Sequence, residues 1–203
     1  MYHRISIKEN EWSFSPVSPY AFEEQMKFLK KNFTIVPLSE LRAYIEGEKH
    51  VKNNRIAIIT FDDGYKDNYI YAIPILKKYQ IPATIYLTSG HINTKRLFWW
   101  DRLGYAIYHS SKETVHVQGL GSYSISQEAE KERAIRDILT RLKRMDDDSK
   151  TLILEHIWKE CHCPDTIQED NQMITTWDNA KEMLRNGIEF GAHTVNHPIL
   201  ANM

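Results

Sequence analysis

No run in this sequence is long and apolar enough to cross a bilayer as a helix, which needs about 20 consecutive apolar residues. A surplus of positive charge is also missing. Lys and Arg number 26 against 27 Asp and Glu, a formal net charge of -1, and no long basic run occurs, so nucleic acid is not an expected partner. The opening MYHRISIKEN lacks the charged-then-apolar layout of a signal peptide, and the expectation is a cytoplasmic chain without a membrane partner. Cysteine is scarce: Cys161 and Cys163 flank His162. Two cysteines one residue apart make a strained disulfide. With His156 they form no complete metal motif, since no second CxxC or histidine pair accompanies them, and a helix end is the simpler reading. What remains is a chain of 203 residues, enough for one generous domain or for one that is not quite complete.

The stretch that organises the rest is Arg55 to Tyr65, RIAIITFDDGY. Its apolar run, Ile56 to Thr60, is mostly β-branched and too short for a helix, so it reads as a fully buried strand of a parallel sheet. The run meets two adjacent carboxylates, Asp62 and Asp63, and then Gly64. Neighbouring side chains in mid-strand point to opposite faces. At the C-terminal end of a strand, with glycine permitting a sharp turn, both can face one pocket. Alone, DDG is equally well explained as turn chemistry.

Around this stretch the chain alternates strand and helix. Tyr2 to Ile7 reads as a short strand. Ser18 caps a helix with Pro19 at its first position and Phe22, Met26 and Leu29 as its apolar stripe. Ile35-Val36 is a second strand, and Ser39 opens a helix that ends near Gly47. Lys66 to Tyr79 reads as helix with a kink or late start at Pro74. Pro82 to Thr88 is the next strand. Residues 93–170 break the rhythm: a helix after Phe98-Trp99-Trp100-Asp101, a hairpin over Val115–Val117 and Tyr123–Ile125, and two amphipathic helices capped by Ser126 and near Asp148. The lone His156 on the last of these reads as a packed histidine. The rhythm resumes with Thr176 capping a helix from Trp177, in which Ala180, Met183 and Leu184 are expected to be buried and which Gly187 stops. The strand Ile188 to Ala192 then delivers His193 to its C-terminal end. Such alternation argues for an α/β fold with a parallel sheet.

The second motif is His193-Thr194-Val195-Asn196-His197. Two histidines four apart reach one metal if the chain between them curls, and Pro198 argues for a loop. Two imidazoles and a carboxylate suit zinc or a similar divalent ion, with a position left open for water. As an isolated HxxxH the pair reads better as two unrelated loop residues. Paired with DDG at another strand end, it reads better as a site, because sheets of this kind place their sites at that edge.

TFDDGY at Thr60 to Tyr65 and HTVNHP at His193 to Pro198 resemble the first two motifs of the polysaccharide deacetylase family, also known as the NodB-homology or carbohydrate esterase family 4 domain. MYHRI and TWDNAKEMLRNGIEFGAH resemble the same family's opening strand and pre-motif helix. The resemblance implies the N-terminal part of a distorted (β/α) barrel, here one incomplete domain over 1–203 carrying an insertion at about 93–170. It implies Asp62 as general base and Asp63, His193 and His197 as ligands of a divalent metal, zinc first, cobalt or another transition metal next. The Thr194 hydroxyl would steady the histidine loop. The implied reaction is hydrolysis of an acetyl group, most often N-acetyl, from a sugar or polysaccharide, with the metal polarising the carbonyl and acidifying water. Tyr65 and the Trp99-Trp100 pair are candidates to line a sugar groove, although core packing explains the tryptophans better.

The later motifs of the family, with an arginine, an aspartate and tryptophan, and a histidine general acid, have no positions here. The expectation is therefore open barrel edges and exposed apolar faces, through which copies could associate. An alternative is a non-catalytic remnant that binds metal or glycan without turnover. A metal phosphoesterase is a third reading, and no Gly-rich phosphate cradle or basic cluster supports it.

Overall fold

The structure, a computed structural model, describes residues 1–7, 15–51, 55–164 and 173–202. Asp170, the expected far boundary of the insertion, and Met203 lie outside these residues. In chain order, Ser18 Oγ accepts the Ala21 N–H at 3.1 Å and starts helix α1, Pro19–Asn32, whose Phe22 and Met26 are buried. Strand β1, Thr34–Ile35, is followed by a 3₁₀ turn, Leu38–Glu40, that runs into α2, Leu41–Ile45. Strands β2, Ile56–Ala57, and β3, Thr60–Phe61, come next. A π-helical turn over Asn68–Ala72 leads into α3, Ile73–Tyr79, and then β4, Ala83–Leu87. Helix α4 is Trp99–His109, β5 and β6 are Thr114–Val117 and Gly121–Ser124, and α5 and α6 are Glu128–Leu142 and Asp147–Glu160. Helix α7, Trp177–Arg185, and β7, Ile188–Ala192, complete the order.

Two separate apolar cores divide these elements into two compact units. The first, over the described residues 1–7, 15–51, 55–95 and 173–196, holds a parallel sheet in the order β3-β4-β7 and the parallel pair β1-β2. Its core joins Phe22 and Met26 of α1, Phe61, Leu76, Ile85, and Met183 of α7. The α/β class is as the alternation predicts. Among the described residues the strands form an open three-stranded sheet, a pair and a hairpin, rather than a closed barrel. The run from Ile56 to Thr60 differs from the fully buried strand expected. It changes partner midway, pairing with β1 through β2 and with β4 through β3, and only Ile59 within it is buried.

The expected strand Tyr2 to Ile7 is reduced to two bridges, Tyr2 with Phe61 and Ile5 with Val17, both parallel. Between them Arg4 turns inward and its Nε donates to Asp67 Oδ2 at 2.8 Å. Burial pushes the Asp67 carboxyl up and the Arg4 charge opposes that shift, as a desolvated pair requires. Pro74 does not kink the helix by steric failure. It has no N–H for the turn before it, and the chain widens there so that the Ile73 N–H bonds Asn68 C=O, five residues back. In α7, Thr176 caps as expected and Gly187 adopts φ +82, but Leu184 is exposed because the buried face runs through Ala180 and Met183.

The second unit covers the described residues 96–164 and 197–202. Leu103 and Ile107 of α4, Val115 and Val117 of β5, Ile138 and Leu142 of α5, and Leu154 and Ile157 of α6 share its core. Both helix starts sit beside the expected caps. Helix α5 begins after Gln127, where the Glu130 carboxylate accepts the N–H groups of Ser126 and Gln127, each at 3.1 Å. Helix α6 is capped by Asp146, which accepts the Ser149 N–H at 2.8 Å, two residues before the expected Asp148. Its Leu152 is exposed, while Leu154 and Ile157 make the buried face. No helix of the described residues is long and apolar enough to cross a membrane.

Register makes one packing contact sharply testable. Gly191 of β7 lies opposite Tyr86 of β4, and a β-carbon at Gly191 would sit 2.4 Å from the Tyr86 ring. Gly191→Ala is expected to cost about 1–3 kcal/mol by overpacking, read as a lower urea midpoint with an unchanged slope.

Candidate active site

The carboxylate pair is built by the backbone. Phe61 is wholly buried, and alternation alone would send Asp62 and Asp63 to opposite sides. The chain breaks that alternation at once: Asp63 takes φ +72 and Gly64 φ +81. Left-handed backbone is uncommon outside glycine, with aspartate among the residues that tolerate it, so the turn is held in a conformation that most residues resist. Gly64 is further confined, because its C=O accepts the Thr175 N–H at 3.0 Å and a β-carbon there would meet Leu87 Cδ2 at 2.7 Å. Within this turn the two carboxylates differ in exposure. Asp63 is 1% exposed, while the Asp62 side chain keeps 14% exposure.

The histidine loop is fastened through the loop that follows β4. The His193 N–H donates to Leu87 C=O at 2.9 Å, Ser89 N–H to Thr194 C=O at 3.1 Å, and Gly90 N–H to Val195 C=O at 2.8 Å. Thr88 Oγ1 donates to His193 C=O at 3.2 Å. Thr194 and His197 both adopt positive φ, +65 and +55, which supplies the curl that two histidines four apart need. Thr194 thus supports the loop through its backbone shape and its carbonyl.

These turns bring the expected ligands together. His193 Nε2 lies 3.5 Å from Asp63 Oδ1. One donor atom from each of Asp63, His193 and His197 can be chosen so that all three lie within 4.8 Å of one another. In the second unit, Phe98 and Trp100 meet the His197 ring edge-on, with centroids 5.9 and 4.6 Å away. A buried carboxylate is costly without positive compensation, and one carboxylate oxygen with two imidazole nitrogens is a donor set that fits a divalent transition metal. Among the described residues this is the group of three such donors that could hold an ion. The cysteines offer nothing comparable: burial pushes the Cys161 thiol up and the Cys163 thiol up to about 11, away from the thiolate a metal needs.

Tyr65 is 1% exposed, with the Arg4 guanidinium 5.0 Å from its ring centre, so it supports the turn from below and does not line a groove. Trp100 is buried and stacked on Phe98 at 4.6 Å, and Trp99 packs against it edge-on, the packing role favoured for this pair. One neighbour of the site escaped sequence reasoning. His3 Nε2 stands 3.8 Å from Asp62 Oδ2. The signal was present in MYHRI, whose tyrosine pairs with Phe61, but only the pairing register shows that the next residues, His3 and Asp62, are neighbours.

Comparison with known proteins identifies the family. The family model for polysaccharide deacetylases matches residues 49–203, and the chain belongs to that family. A poly-β-1,6-N-acetyl-D-glucosamine N-deacetylase of Staphylococcus aureus is 42% identical over 88 residues, covering 43% of this chain and 30% of the relative. YxkH of Bacillus subtilis, which carries the same family description, is 37% identical over 97 residues, covering 47% of this chain and 33% of the relative. The match thus spans about a third of the length of these relatives. Among solved structures, the Streptococcus pyogenes deacetylase PplD in complex with acetate has the same fold, with a TM-score of 0.51 at 21% identity over 98% of this chain and 56% of that one.

Gly90 is the sensitive point of the loop contact. A β-carbon there would lie 2.6 Å from Val195 C=O and 2.8 Å from Asn196 Oδ1, and neither the backbone nor the ligand loop can yield without moving the histidines. Gly90→Ala is expected to weaken divalent-metal affinity by about tenfold or more, roughly 1.4 kcal/mol, measured by calorimetric titration.

Proposed function

We propose that this chain removes acetyl groups, N-acetyl first, from a sugar or polysaccharide, with a divalent metal held by Asp63, His193 and His197. The observation that carries the reading is the convergence of those three donors beside a second, partly exposed carboxylate, Asp62. Zinc is the first candidate, cobalt or another transition metal the next. Such an ion, when bound, supplies Lewis-acid polarisation and acidified water. Asp63 and the two histidines serve as its ligands. Asp62, next to the ligand Asp63 in the chain and partly exposed, accepts the proton that water gives up as it attacks the acetyl carbonyl. Buried Tyr65 and the carbonyl of Thr194 hold the two loops in place. The family match runs from residue 49 to 203 through both compact units, which supports reading the chain as one deacetylase domain with residues near 93–170 inserted in it. The named activity of the Staphylococcus aureus relative supports an N-acetylglucosamine polymer as substrate.

Zinc titration and acetate release test this reading together. Alanine at Asp63, His193 or His197 is expected to weaken zinc binding by at least about a hundredfold. With metal loaded, Asp62→Asn is expected to lower acetate release from N-acetylglucosamine oligomers by about 10²–10⁴-fold while zinc affinity holds. Unchanged zinc binding in all three alanine variants would sink the site. Tight zinc binding without any acetate release would favour a binding protein over an enzyme.

A further inference from the structure

We propose that His3 is a positioning residue for Asp62, an inference that rests on reading Asp62 as the proton acceptor. Register sets the two residues side by side. Tyr2 and Phe61 form a parallel bridge, the Tyr2 N–H donates to Thr60 C=O at 2.8 Å, and the Asp62 N–H donates to Tyr2 C=O at 2.9 Å. The rings of Tyr2 and Phe61 stack at 5.5 Å on the core side. In parallel strands, paired residues point to the same face and the next pair to the other. His3 and Asp62 therefore share the face away from the core, where 43% of the His3 side chain is exposed against 14% for Asp62.

The backbone around His3 is held on both sides and from below. Asn68 Nδ2 donates to the His3 carbonyl at 3.1 Å. Arg4 is locked in its buried pair with Asp67, whose other oxygen accepts the Ile5 N–H at 3.4 Å. Asp67 and Asn68 lie just beyond the DDGY turn, so one segment fixes both the turn and the histidine beside it. The imidazole Nε2 lies 3.8 Å from Asp62 Oδ2, a charge-pair distance longer than a hydrogen bond. Hydrogen bonds to catalytic groups commonly tighten when substrate arrives. An N–H on that side holds Oδ2, limits rotation of the carboxylate, and leaves Oδ1 to take the proton. His3 is not one of the metal donor group, and its imidazole lies beside Asp62, the chain neighbour of the ligand Asp63.

Two variants and one spectroscopic readout test this on the full chain. His3→Phe keeps bulk and removes the donor; His3→Gln keeps an N–H donor. With zinc loaded, His3→Phe is expected to lower kcat for acetate release about tenfold or more with KM changed less than about twofold, and His3→Gln to recover most of the loss. Zinc affinity should be unchanged in both. In the metal-free chain labelled with ¹³C-histidine, Asp62→Asn should shift the His3 ring resonances, and the exposed Asp178→Asn should leave them in place. A kcat for His3→Phe equal to that of the unaltered chain, or equal losses in Phe and Gln variants, would overturn the proposal. So would a loss of zinc affinity, which would put His3 among the ligands. The resonance arm decides the contact without turnover: no shift on Asp62→Asn overturns it. Full activity in Asp62→Asn would instead sink the reading of Asp62 itself, whatever the resonances show.

Discussion

Successive side chains of a strand point to opposite faces, and a site with two adjacent carboxylates must break that rule somewhere. Here the break is the left-handed pair Asp63-Gly64. Everything else at the candidate site follows from it. Asp63 is buried and lies beside His193, while Asp62 stays partly exposed. The turn is expensive in backbone terms, and the surroundings over-determine it. Gly64 bonds the segment before α7, Tyr65 is buried beneath it, and Arg4, Asp67 and Asn68 tie the N-terminal segment to the residues that follow. Strain held this way by a rigid surround is the usual condition for a positioned functional group.

The histidine loop solves the complementary problem. A strand delivers His193, and the chain must then curl within four residues to return a second imidazole. Positive φ at Thr194 and His197 makes the curl. Hydrogen bonds from Ser89 and Gly90 hold it against the end of β4. The strand that follows DDGY in the chain therefore also supports the loop carrying the histidines, and the parallel order β3-β4-β7 brings the ends of β3 and β7, with the two motifs, to the same side of the sheet.

Sequence made the helices, the hairpin and the parallel class legible, because periodicity, caps and stop glycines act locally. Ser18, Thr176 and Gly187 do what their chemistry predicts. It misplaced features set by partners distant in the chain. Ile56 to Thr60 looks uniformly apolar, yet its burial depends on which strand pairs at each residue. Leu184 fits a helical stripe but falls beyond the face that Met183 buries. Tyr65 follows the carboxylates as a groove residue would, and only packing shows it under Arg4. His3 illustrates the limit most clearly. Its link to Asp62 spans most of the first sixty residues and exists through register alone.

The central claim is that Asp63, His193 and His197 form one metal centre. X-ray absorption at the zinc edge, on the chain loaded with one equivalent of zinc, addresses it directly. Nitrogen and oxygen neighbours only are expected, with the multiple-scattering signature of two imidazoles, and loss of one imidazole in His193→Ala. Sulfur neighbours, or a spectrum unchanged by that substitution, would place the metal at Cys161 and Cys163 or elsewhere and contradict it.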